Sequence, residues 1–389
     1  MADRSPAVTR AATETIERPV PAVVLVPLPA ELTVVVPTFN ERDNVPLLVE
    51  RLGKVLKEIA WEVVFVDDDS PDGTAEVVRA LARRHPNVRC MQRIGRRGLA
   101  SACVEGVLSS AAPYIAVMDA DLQHDESMLP AMFDMLRNEP LDIVIGSRFA
   151  GGGDFGPMGQ FRVRISRLGN RLARFVVKAE LTDPMSGFFM LKRSLFDGVV
   201  RRLSAQGYKI LVDIFASSPK PLAFGELAFT FGTRLHGESK LDMLVAFEYL
   251  ELLVDKLIGH IVPVRFVVFS AIGGLGLVVH LAVLAFSLKL LGLGFPVSQG
   301  MATIAAMTCN FGLNNILTYR DRQLRGWKLF RGLLSFYAVC SIGAVANVGI
   351  ASYVFRSDQS WWLAGVTGAV VGAVWNYAIS SVFTWRVKQ

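Results

Sequence analysis

The feature that most constrains this chain is the uneven distribution of its charged residues. Acidic and basic side chains are frequent between about residues 40 and 260, whereas four long stretches after residue 263 are almost free of them. A membrane-spanning helix needs about 20 consecutive apolar residues. The stretches satisfy that length and lie at residues 266–288, 297–318, 332–355 and 361–385. The sequence therefore predicts a polar domain followed by four membrane-spanning helices, with the boundary near Pro263.

Composition and the placement of basic residues agree with this division. With 389 residues, 52% hydrophobic and 20% charged, the chain is long enough for two domains and too apolar for an ordinary soluble protein. Basic residues follow the second and fourth apolar stretches: Arg320, Arg322, Arg325, Lys328 and Arg331, then Arg386 and Lys388. By the positive-inside rule these segments face the cytoplasm, and with four crossings the N-terminal domain does too. The net charge of +6 is then explained by membrane orientation, and no nucleic-acid partner is expected.

Four regions follow from these patterns. Residues 1–31 are rich in Ala, Pro, Thr and Val without the order of a signal peptide, so a disordered leader is expected. A catalytic domain is predicted over residues 32–240 and a four-span membrane domain over residues 263–389. Between them, residues 241–262 place apolar side chains at helical spacing opposite acidic ones. This segment is interpreted as one or two amphipathic helices on the bilayer surface; packing under the catalytic domain as core is the alternative.

The predicted catalytic domain alternates short apolar runs with helical patterns. The runs typical of strands lie at residues 32–37, 62–68, 87–92, 114–121 and 142–148. Such alternation predicts an α/β fold with a mainly parallel sheet. Ligands of open parallel sheets bind outside the carboxyl ends of the strands. Polar residues just past each strand are therefore the candidate site.

Two of these strand ends carry motifs that fit a nucleotide. Residues 37–41 read PTFNE, where an aromatic ring and an acid could hold a base; Asn40 capping the next helix is the alternative. Residues 67–74 read DDDSPDGT. Adjacent carboxylates repel one another unless a cation, ribose hydroxyls or backbone amides compensate them. Donor binding by Asp67 and Asp68 is the favoured interpretation, and exposed loop acids are the alternative.

A third strand end carries oxygen ligands suited to a hard divalent cation. Asp119, Asp121 and Gln123 follow a buried run, and in an extended chain alternate side chains project to one side. Mg²⁺ takes carboxylate and phosphate oxygens and keeps coordination positions for substrate, which suits a diphosphate leaving group. A metal site is therefore predicted on these three residues.

These motifs together resemble a known family. PTFNE, DDSPDGTAE, DADLQH, GSR (146–148), DPMSGFF (183–189) and RLHGESK (234–240) occur in the order and spacing of the glycosyltransferases that make dolichyl- or polyprenyl-phosphate mannose. The resemblance spans about residues 32–241. It implies a GT-A fold, a Mg²⁺ or Mn²⁺ cofactor, and inverting transfer of a sugar, most simply mannose from GDP-mannose, to polyprenyl phosphate. The C-terminal part is similar to the GtrA-like membrane domain.

The resemblance implies a role for each matched position. The nucleotide would be contacted by Pro37, Phe39, Glu41, Asp68 and Asp119, and the metal would be held by Asp119, Asp121 and Gln123. The phosphates, including that of the lipid acceptor, would be bound by Arg148, Arg162, Ser166, Ser186, Arg234 and Lys240. The catalytic set would be Asp121, Arg148, Arg234 and Lys240. Arg164 and Arg167 compete with Arg162 for its role, and a basic membrane-facing surface is the alternative for any single arginine.

Other functions remain open at this point. A UDP-glucose donor fits the same type of sheet, because sugar selectivity depends on pocket shape. A processive polysaccharide synthase would need a Q-x-x-R-W element, whereas residues 323–327 read QLRGW. A lipid-linked-sugar translocation module with an inactive transferase domain is the third possibility, and the intact Asp119, Asp121, Gln123, Arg234 and Lys240 argue against it. The sequence does not indicate the oligomeric state.

Overall fold

The N-terminal domain is built around one seven-stranded sheet. The structure is a computed structural model that describes residues 29–151, 169–174, 176–177, 179–204, 207, 209–232, 243–259, 261–358 and 361–386. The strands are β1 (Leu32–Thr38), β2 (Trp61–Asp67), β3 (Val88–Gln92), β4 (Tyr114–Val117), β5 (Ile143–Ser147), β6 (Phe189–Lys192) and β7 (Phe224–Ala228). Their order across the sheet is β3-β2-β1-β4-β6-β5-β7. Only β6 runs antiparallel to its neighbours in the described sheet, so the predicted mainly parallel α/β class is confirmed.

Helices cover both faces of the sheet. They are α1 (Asn44–Val55), α2 (Thr74–Ala82), α3 (Leu99–Leu108), α4 (Leu129–Asn138), α5 (Arg193–Val199) and α6 (Ile210–Ser217). One apolar core joins the sheet to α1, α2 and α4, and the other joins it to α3, α5 and α6. On the second face, Gly106 of α3 lies so close to β1 and β2 that an added Cβ would meet Val35 Cγ1 at 2.5 Å. Burial on both faces explains why the central strands are continuous apolar runs.

One predicted strand is shorter in the structure. The run at residues 114–121 was expected to be extended throughout, but β4 ends at Val117. The backbone then turns, and Leu122 has a positive φ of 61°. Strand alternation is therefore the wrong reason to expect Asp119, Asp121 and Gln123 on one side. The elements after residue 188, including the antiparallel β6, were not anticipated from the sequence pattern.

A single described helix joins the sheet domain to the membrane domain. It is α7 (Met243–Ile258). One face of α7 packs into the second core through Tyr249, Leu252 and Leu253, and the Tyr249 hydroxyl donates to the Gly169 carbonyl over 2.8 Å. α7 is therefore part of the catalytic domain's core on one side, as in the alternative interpretation of this segment.

Four long helices follow α7 and overlap the four predicted spans. They are α8 (Val264–Lys289), α9 (Phe295–Ile316), α10 (Trp327–Asp358) and α11 (Trp361–Phe383). α8 packs mainly on α9 and α10 mainly on α11, so the domain consists of two helical hairpins. Within the described residues, two segments are both long and apolar enough to cross a membrane, Val264–Lys289 and Trp327–Ala346.

Candidate active site

Polar loops from three neighbouring strands meet at one edge of the sheet. β2, β1 and β4 are adjacent and parallel, so their carboxyl ends lie side by side. The predicted nucleotide-binding residues lie within or just past these strand ends: Pro37, Phe39, Glu41, Asp68 and Asp119. The fold therefore brings them to one edge.

Side-chain hydrogen bonds fix the loop after β1 to the loop after β2. The Asn40 backbone N–H donates to Ser70 Oγ and the Glu41 N–H to Thr74 Oγ1, both over 3.0 Å. The Asn44 side chain donates to Glu41 Oε2 over 2.7 Å. The N-cap residue of α1 is Asp43, so the alternative that Asn40 caps this helix is wrong. The position of Glu41 is set by both loops.

The two acids at the end of β2 are buried and compensated. Asp67 accepts from the Ser70 backbone N–H over 3.0 Å and from the Ser70 hydroxyl over 2.5 Å, so it holds the turn. Asp68 accepts from the Gly98 N–H over 2.7 Å and lies 3.1 Å from Arg93 Nη1. Burial is the main cause that raises the pKa of Asp68. The alternative of exposed loop acids is therefore wrong for both residues.

The loop after β3 also reaches this edge, which the sequence motifs did not indicate. The Arg93 side chain is buried and donates to the Gly98 carbonyl over 3.0 Å. Gly98 has a φ of +144°, a conformation that favours glycine. The Arg97 guanidinium carbon lies 4.2 Å from the centre of the Phe39 ring, within cation–π distance. The RIGRRG run at residues 93–98 was the available sequence signal.

The loop after β4 holds the predicted metal ligands through local contacts. Asp121 Oδ1 accepts from the Gln123 N–H over 3.2 Å, and Asp121 is buried. The Gln123 amide nitrogen donates to the Gly232 carbonyl over 2.9 Å, and the Gly232 N–H donates to the Gln123 carbonyl over 2.9 Å. The Asp119 side chain is 37% exposed, so it is open to a ligand.

His124 lies inside this loop and contacts Asp119. Its Nδ1 accepts from the Asp119 N–H over 3.1 Å, and its Nε2 lies 3.8 Å from Asp119 Oδ2. The ring stacks on Phe188 at 5.2 Å between centroids and meets Phe229 and Phe231 edge-on. His124 is therefore a packed histidine that orients Asp119.

The residues in this loop fit a hard divalent cation in their chemistry. In the part of the chain that the structure describes, no three His, Cys, Asp or Glu side chains form a complete metal cluster. The two carboxylates and the Gln123 amide oxygen are the ligand types that Mg²⁺ and Mn²⁺ prefer. Mg²⁺ is usually bound by one or two carboxylates together with substrate phosphates, so an incomplete protein cluster suits it.

Arg148, just past β5, is held by a buried acid. Its Nε and Nη2 donate to the two oxygens of Asp183 over 2.7 and 2.9 Å, and its backbone N–H also donates to Asp183. Asp183 is fully buried. The Arg148 guanidinium also lies over the Phe231 ring at 5.5 Å. Such a bidentate pair fixes the plane of the Arg148 guanidinium, and the carboxylate of Asp183 offsets its positive charge.

The segment from Asp183 to Gly187 joins the site residues to one another. The Ser186 hydroxyl donates to the Gly146 carbonyl over 2.7 Å and accepts from the Phe188 N–H, so its contacts are structural. Lys209, which the motifs did not identify, donates to the Met185 carbonyl over 3.2 Å. A Cβ on Gly187 would lie 3.3 Å from Asp119 Oδ2. Lys209 is therefore a cation near the same edge.

Burial shapes the chemistry of Lys209. Burial is the largest cause that lowers the pKa of its ammonium group, and the neighbouring Arg148 lowers it further. Asp119 and Asp183 act in the opposite direction. The other phosphate-binding candidates, Arg162, Ser166, Arg234 and Lys240, and the competitors Arg164 and Arg167, lie outside the described residues.

Comparisons with known proteins identify the family. Residues 33–200 match the model "Glycosyl transferase family 2", and residues 268–385 match "GtrA/DPMS, transmembrane domain". The dolichol-phosphate mannosyltransferase of Pyrococcus furiosus is 33% identical over 361 residues, which cover 91% of this chain and 99% of that protein. The chain belongs to the dolichol-phosphate mannosyltransferase family. It is thus a family 2 glycosyltransferase with a GtrA-type membrane domain, as the motifs implied.

Two further matches each cover a little over half of the chain. The Saccharomyces cerevisiae dolichol-phosphate mannosyltransferase is 38% identical over 234 residues, 58% of this chain and 86% of that protein. Among solved structures, glucosyl-3-phosphoglycerate synthase from Mycobacterium tuberculosis aligns with a TM-score of 0.44 and 18% identity, over 58% of this chain and 80% of that one.

Proposed function

We propose that the chain transfers mannose from GDP-mannose to a polyprenyl phosphate at the cytoplasmic face of a membrane. The observation that carries this proposal is the alignment with the P. furiosus dolichol-phosphate mannosyltransferase over 91% of this chain and 99% of that protein. Because the alignment runs through both domains, this chain shares both the sheet domain and the membrane domain with that protein.

The nucleotide would bind at the carboxyl edge of β2, β1 and β4. Phe39 presents a ring beside Arg97, and Asp68 is held in place by Gly98 and Arg93. Pro37, Glu41 and Asp119 complete the proposed contacts. Carboxylates fixed in this way can accept hydrogen bonds from a base edge or ribose without reorganising, which favours binding.

Asp119, Asp121 and Gln123 would hold Mg²⁺ or Mn²⁺ on the diphosphate. A bound divalent cation supplies charge neutralisation for the leaving nucleoside diphosphate. The Gln123 amide nitrogen is engaged by Gly232, which leaves its oxygen as the proposed ligand atom. The hydrogen bond that Asp121 accepts from the Gln123 N–H fixes the position of its carboxylate in the loop.

The phosphates would be bound by basic residues. Arg148 would use the guanidinium edge that faces away from Asp183, and Arg162, Ser166, Arg234 and Lys240 are proposed to complete the acceptor site. Ser186 would act there by shaping the turn. A phosphate acceptor is ionised near neutral pH, so direct in-line attack with inversion needs no general base.

The membrane domain is proposed to cross the bilayer four times, with the catalytic domain and the C-terminus cytoplasmic. The described basic residues of the connection between α9 and α10, together with Arg386, lie at the same end of the helical hairpins as α7. This distribution follows the positive-inside rule.

A radiolabel assay tests the proposal. Membranes containing the full chain are incubated with polyprenyl phosphate and labelled GDP-mannose or UDP-glucose, and the lipid is extracted. We expect labelled mannosyl lipid with a β linkage that requires Mg²⁺ or Mn²⁺. Asp121→Asn should lower the rate on the order of a hundredfold because it weakens the metal site. Label from UDP-glucose alone, or full activity of Asp121→Asn, would contradict the proposed donor or the proposed metal site respectively.

A further inference from the structure

The membrane domain contains an internal repeat. Residues 310–320 read NFGLNNILTYR and residues 376–386 read NYAISSVFTWR. Residues 269–276 read FSAIGGLG and residues 336–343 read FYAVCSIG. Each pair of segments matches in the size and polarity of most positions. The α8–α9 hairpin and the α10–α11 hairpin are therefore two copies of one unit.

Packing supports this equivalence. The side chain of Asn310 occupies the space beside Gly276, and the side chain of Asn376 occupies the space beside Gly343, so each copy makes the same asparagine-on-glycine contact. Tyr319 and its counterpart Trp385 stack face to face, with ring centroids 4.2 Å apart. Residues that are equivalent in the two copies thus meet at the interface between the hairpins.

Each copy forms a pocket at the same end of its hairpin. The first pocket, of about 360 Å³, is lined by Thr318 and Arg320 together with Arg265. The second pocket, of about 720 Å³, is lined by the counterparts Thr384 and Arg386, together with Arg331 and Lys328. The two pockets are therefore related by the repeat, and the second is the larger.

The two pockets differ in their acidic partners. In the first, α7 supplies the acids: Arg320 lies 2.9 Å from Glu251 and 3.5 Å from Glu248. Arg265 is paired in the same region with Asp321 at 2.9 Å. In the second, Lys328, Arg331 and Arg386 are exposed and form no ion pair with an acid in the described part of the chain. The second pocket thus has basic side chains but, in the described part of the chain, no acidic side chain paired with them.

We infer that the second pocket binds the phosphate headgroup of an anionic phospholipid of the bilayer. Guanidinium groups match phosphate geometry, and basic pockets between membrane helices on the cytoplasmic side are typical sites for anionic headgroups. The pocket also has an apolar wall formed by Leu324, Val382 and Phe383, suited to the upper part of an acyl chain. The lipid phosphate takes the place that Glu251 has in the first copy.

A resident phospholipid fits this pocket better than the sugar acceptor. Every lining residue that the structure describes lies between Leu324 and Arg386, and none of these belongs to the sheet domain that carries the candidate active site. A lipid phosphate held there would be bound by residues of the membrane domain. The proposed site shares no named residue with the proposed acceptor site and does not depend on the proposed reaction.

Native mass spectrometry of the full chain in detergent tests the inference. The protein is titrated with phosphatidylglycerol, with phosphatidylcholine, and with polyprenyl phosphate. We expect phosphatidylglycerol to bind at least about tenfold more tightly than phosphatidylcholine, and the double variant Arg331→Gln/Arg386→Gln to lose about tenfold or more of that affinity. The control Arg322→Gln/Arg325→Gln removes the same amount of charge from the connection between α9 and α10, outside the pocket lining, and should keep the affinity.

Three results would overturn the inference. An equal loss in both double variants would mean that a diffuse basic surface attracts the lipid. Undiminished binding in Arg331→Gln/Arg386→Gln would place the lipid elsewhere. Preferential loss of polyprenyl phosphate binding, with phosphatidylglycerol unaffected, would mean that the pocket serves the acceptor. An unchanged thermal unfolding midpoint of each variant in detergent would show that it is folded, whether or not lipid binds and whichever nucleotide the sheet domain takes.

Discussion

At the scale of single residues, the site depends on how each charge is paired. Arg148 faces a fully buried Asp183, so this pair orients a guanidinium edge while adding little net charge. Asp68 is likewise paired with Arg93. The Lys209 ammonium donates to the Met185 carbonyl and adds positive charge close to the Arg148–Asp183 pair. We therefore expect Lys209 to contribute to phosphate binding.

Lys209 gives a prediction with a pH signature. Because burial lowers its pKa, Lys209 should lose its charge, and the enzyme its activity, at a lower pH than an ordinary lysine would. Lys209→Met should lower kcat/KM about tenfold or more at neutral pH. Lys209→Arg, whose charge persists, should remove the alkaline decline. The measurement is kcat/KM against pH for both variants.

The control for this prediction is Lys220→Met, which removes an exposed lysine. An unchanged rate and pH profile in Lys209→Met would rule out the role. The same shift has a consequence for folding: between the lowered pKa and the ordinary pKa of lysine, the unfolded state binds more protons. Stability should therefore rise with pH across that interval.

The loop from Asp119 to Gln123 shows what the sequence could and could not predict. The apolar run before it indicated a central strand, and the strand end placed these residues at the carboxyl edge of the sheet, where the structure has them. The turn at Leu122 depends on tertiary contacts, above all the bonds between Gln123 and Gly232. Lys209 carried no local motif, because its position follows from the packing of a distant segment.

At the scale of secondary-structure elements, α7 connects the two domains. Its Tyr249 face belongs to the core of the sheet domain, where Lys256 also lies 2.5 Å from the buried Asp213. On another face, Glu248 and Glu251 pair with Arg320 of the membrane domain. The amphipathic pattern predicted a helix correctly, but periodicity alone does not indicate which neighbour covers each face.

Arg320 should stabilise the junction between the domains, and its effect should depend on pH. Arg320→Gln leaves two partly buried carboxylates without their cation, which we expect to cost about 1 kcal/mol near neutral pH. Burial already raises the pKa of Glu251, and loss of Arg320 raises it further. The carboxyl groups then take up protons as the pH falls, so the cost should shrink. Thermal unfolding of the full chain at about pH 7.5 and about pH 5 measures this.

Arg325→Gln is the matched control, because Arg325 lies in the same connection and its side chain contacts Gln323. It should unfold like the unsubstituted chain at both pH values. If Arg320→Gln unfolded like the unsubstituted chain at both pH values, the ion pairs with Glu248 and Glu251 would contribute nothing to the junction.

At the scale of the whole molecule, the chain combines an α/β domain with a duplicated pair of hairpins. The distribution of charge predicted the division into two parts, and the alternation of apolar runs with helical patterns predicted the α/β class. The similarity of residues 310–320 to residues 376–386 indicates the duplication. The stacking of Tyr319 on Trp385 then shows that equivalent residues of the two copies meet. The residues assigned to the reaction all lie between Pro37 and Lys240, so the membrane domain is expected to deliver the lipid and not to perform the chemistry.

A chain ending near Ile261 tests whether the reaction needs the membrane domain. It keeps α7, whose Tyr249, Leu252 and Leu253 complete the core of the sheet domain. It loses α8, which lies beside Phe247 and Leu250 of α7, so these apolar side chains become more exposed and detergent is needed. We expect this truncated chain to transfer sugar to a short-chain polyprenyl phosphate, with the loss appearing mainly as a higher KM because the bilayer no longer concentrates the acceptor. Kinetics at increasing acceptor concentration, alongside nucleotide binding as a folding control, measure this. No turnover by a folded, nucleotide-binding truncated chain at high acceptor concentration would mean that the membrane helices form part of the catalytic site.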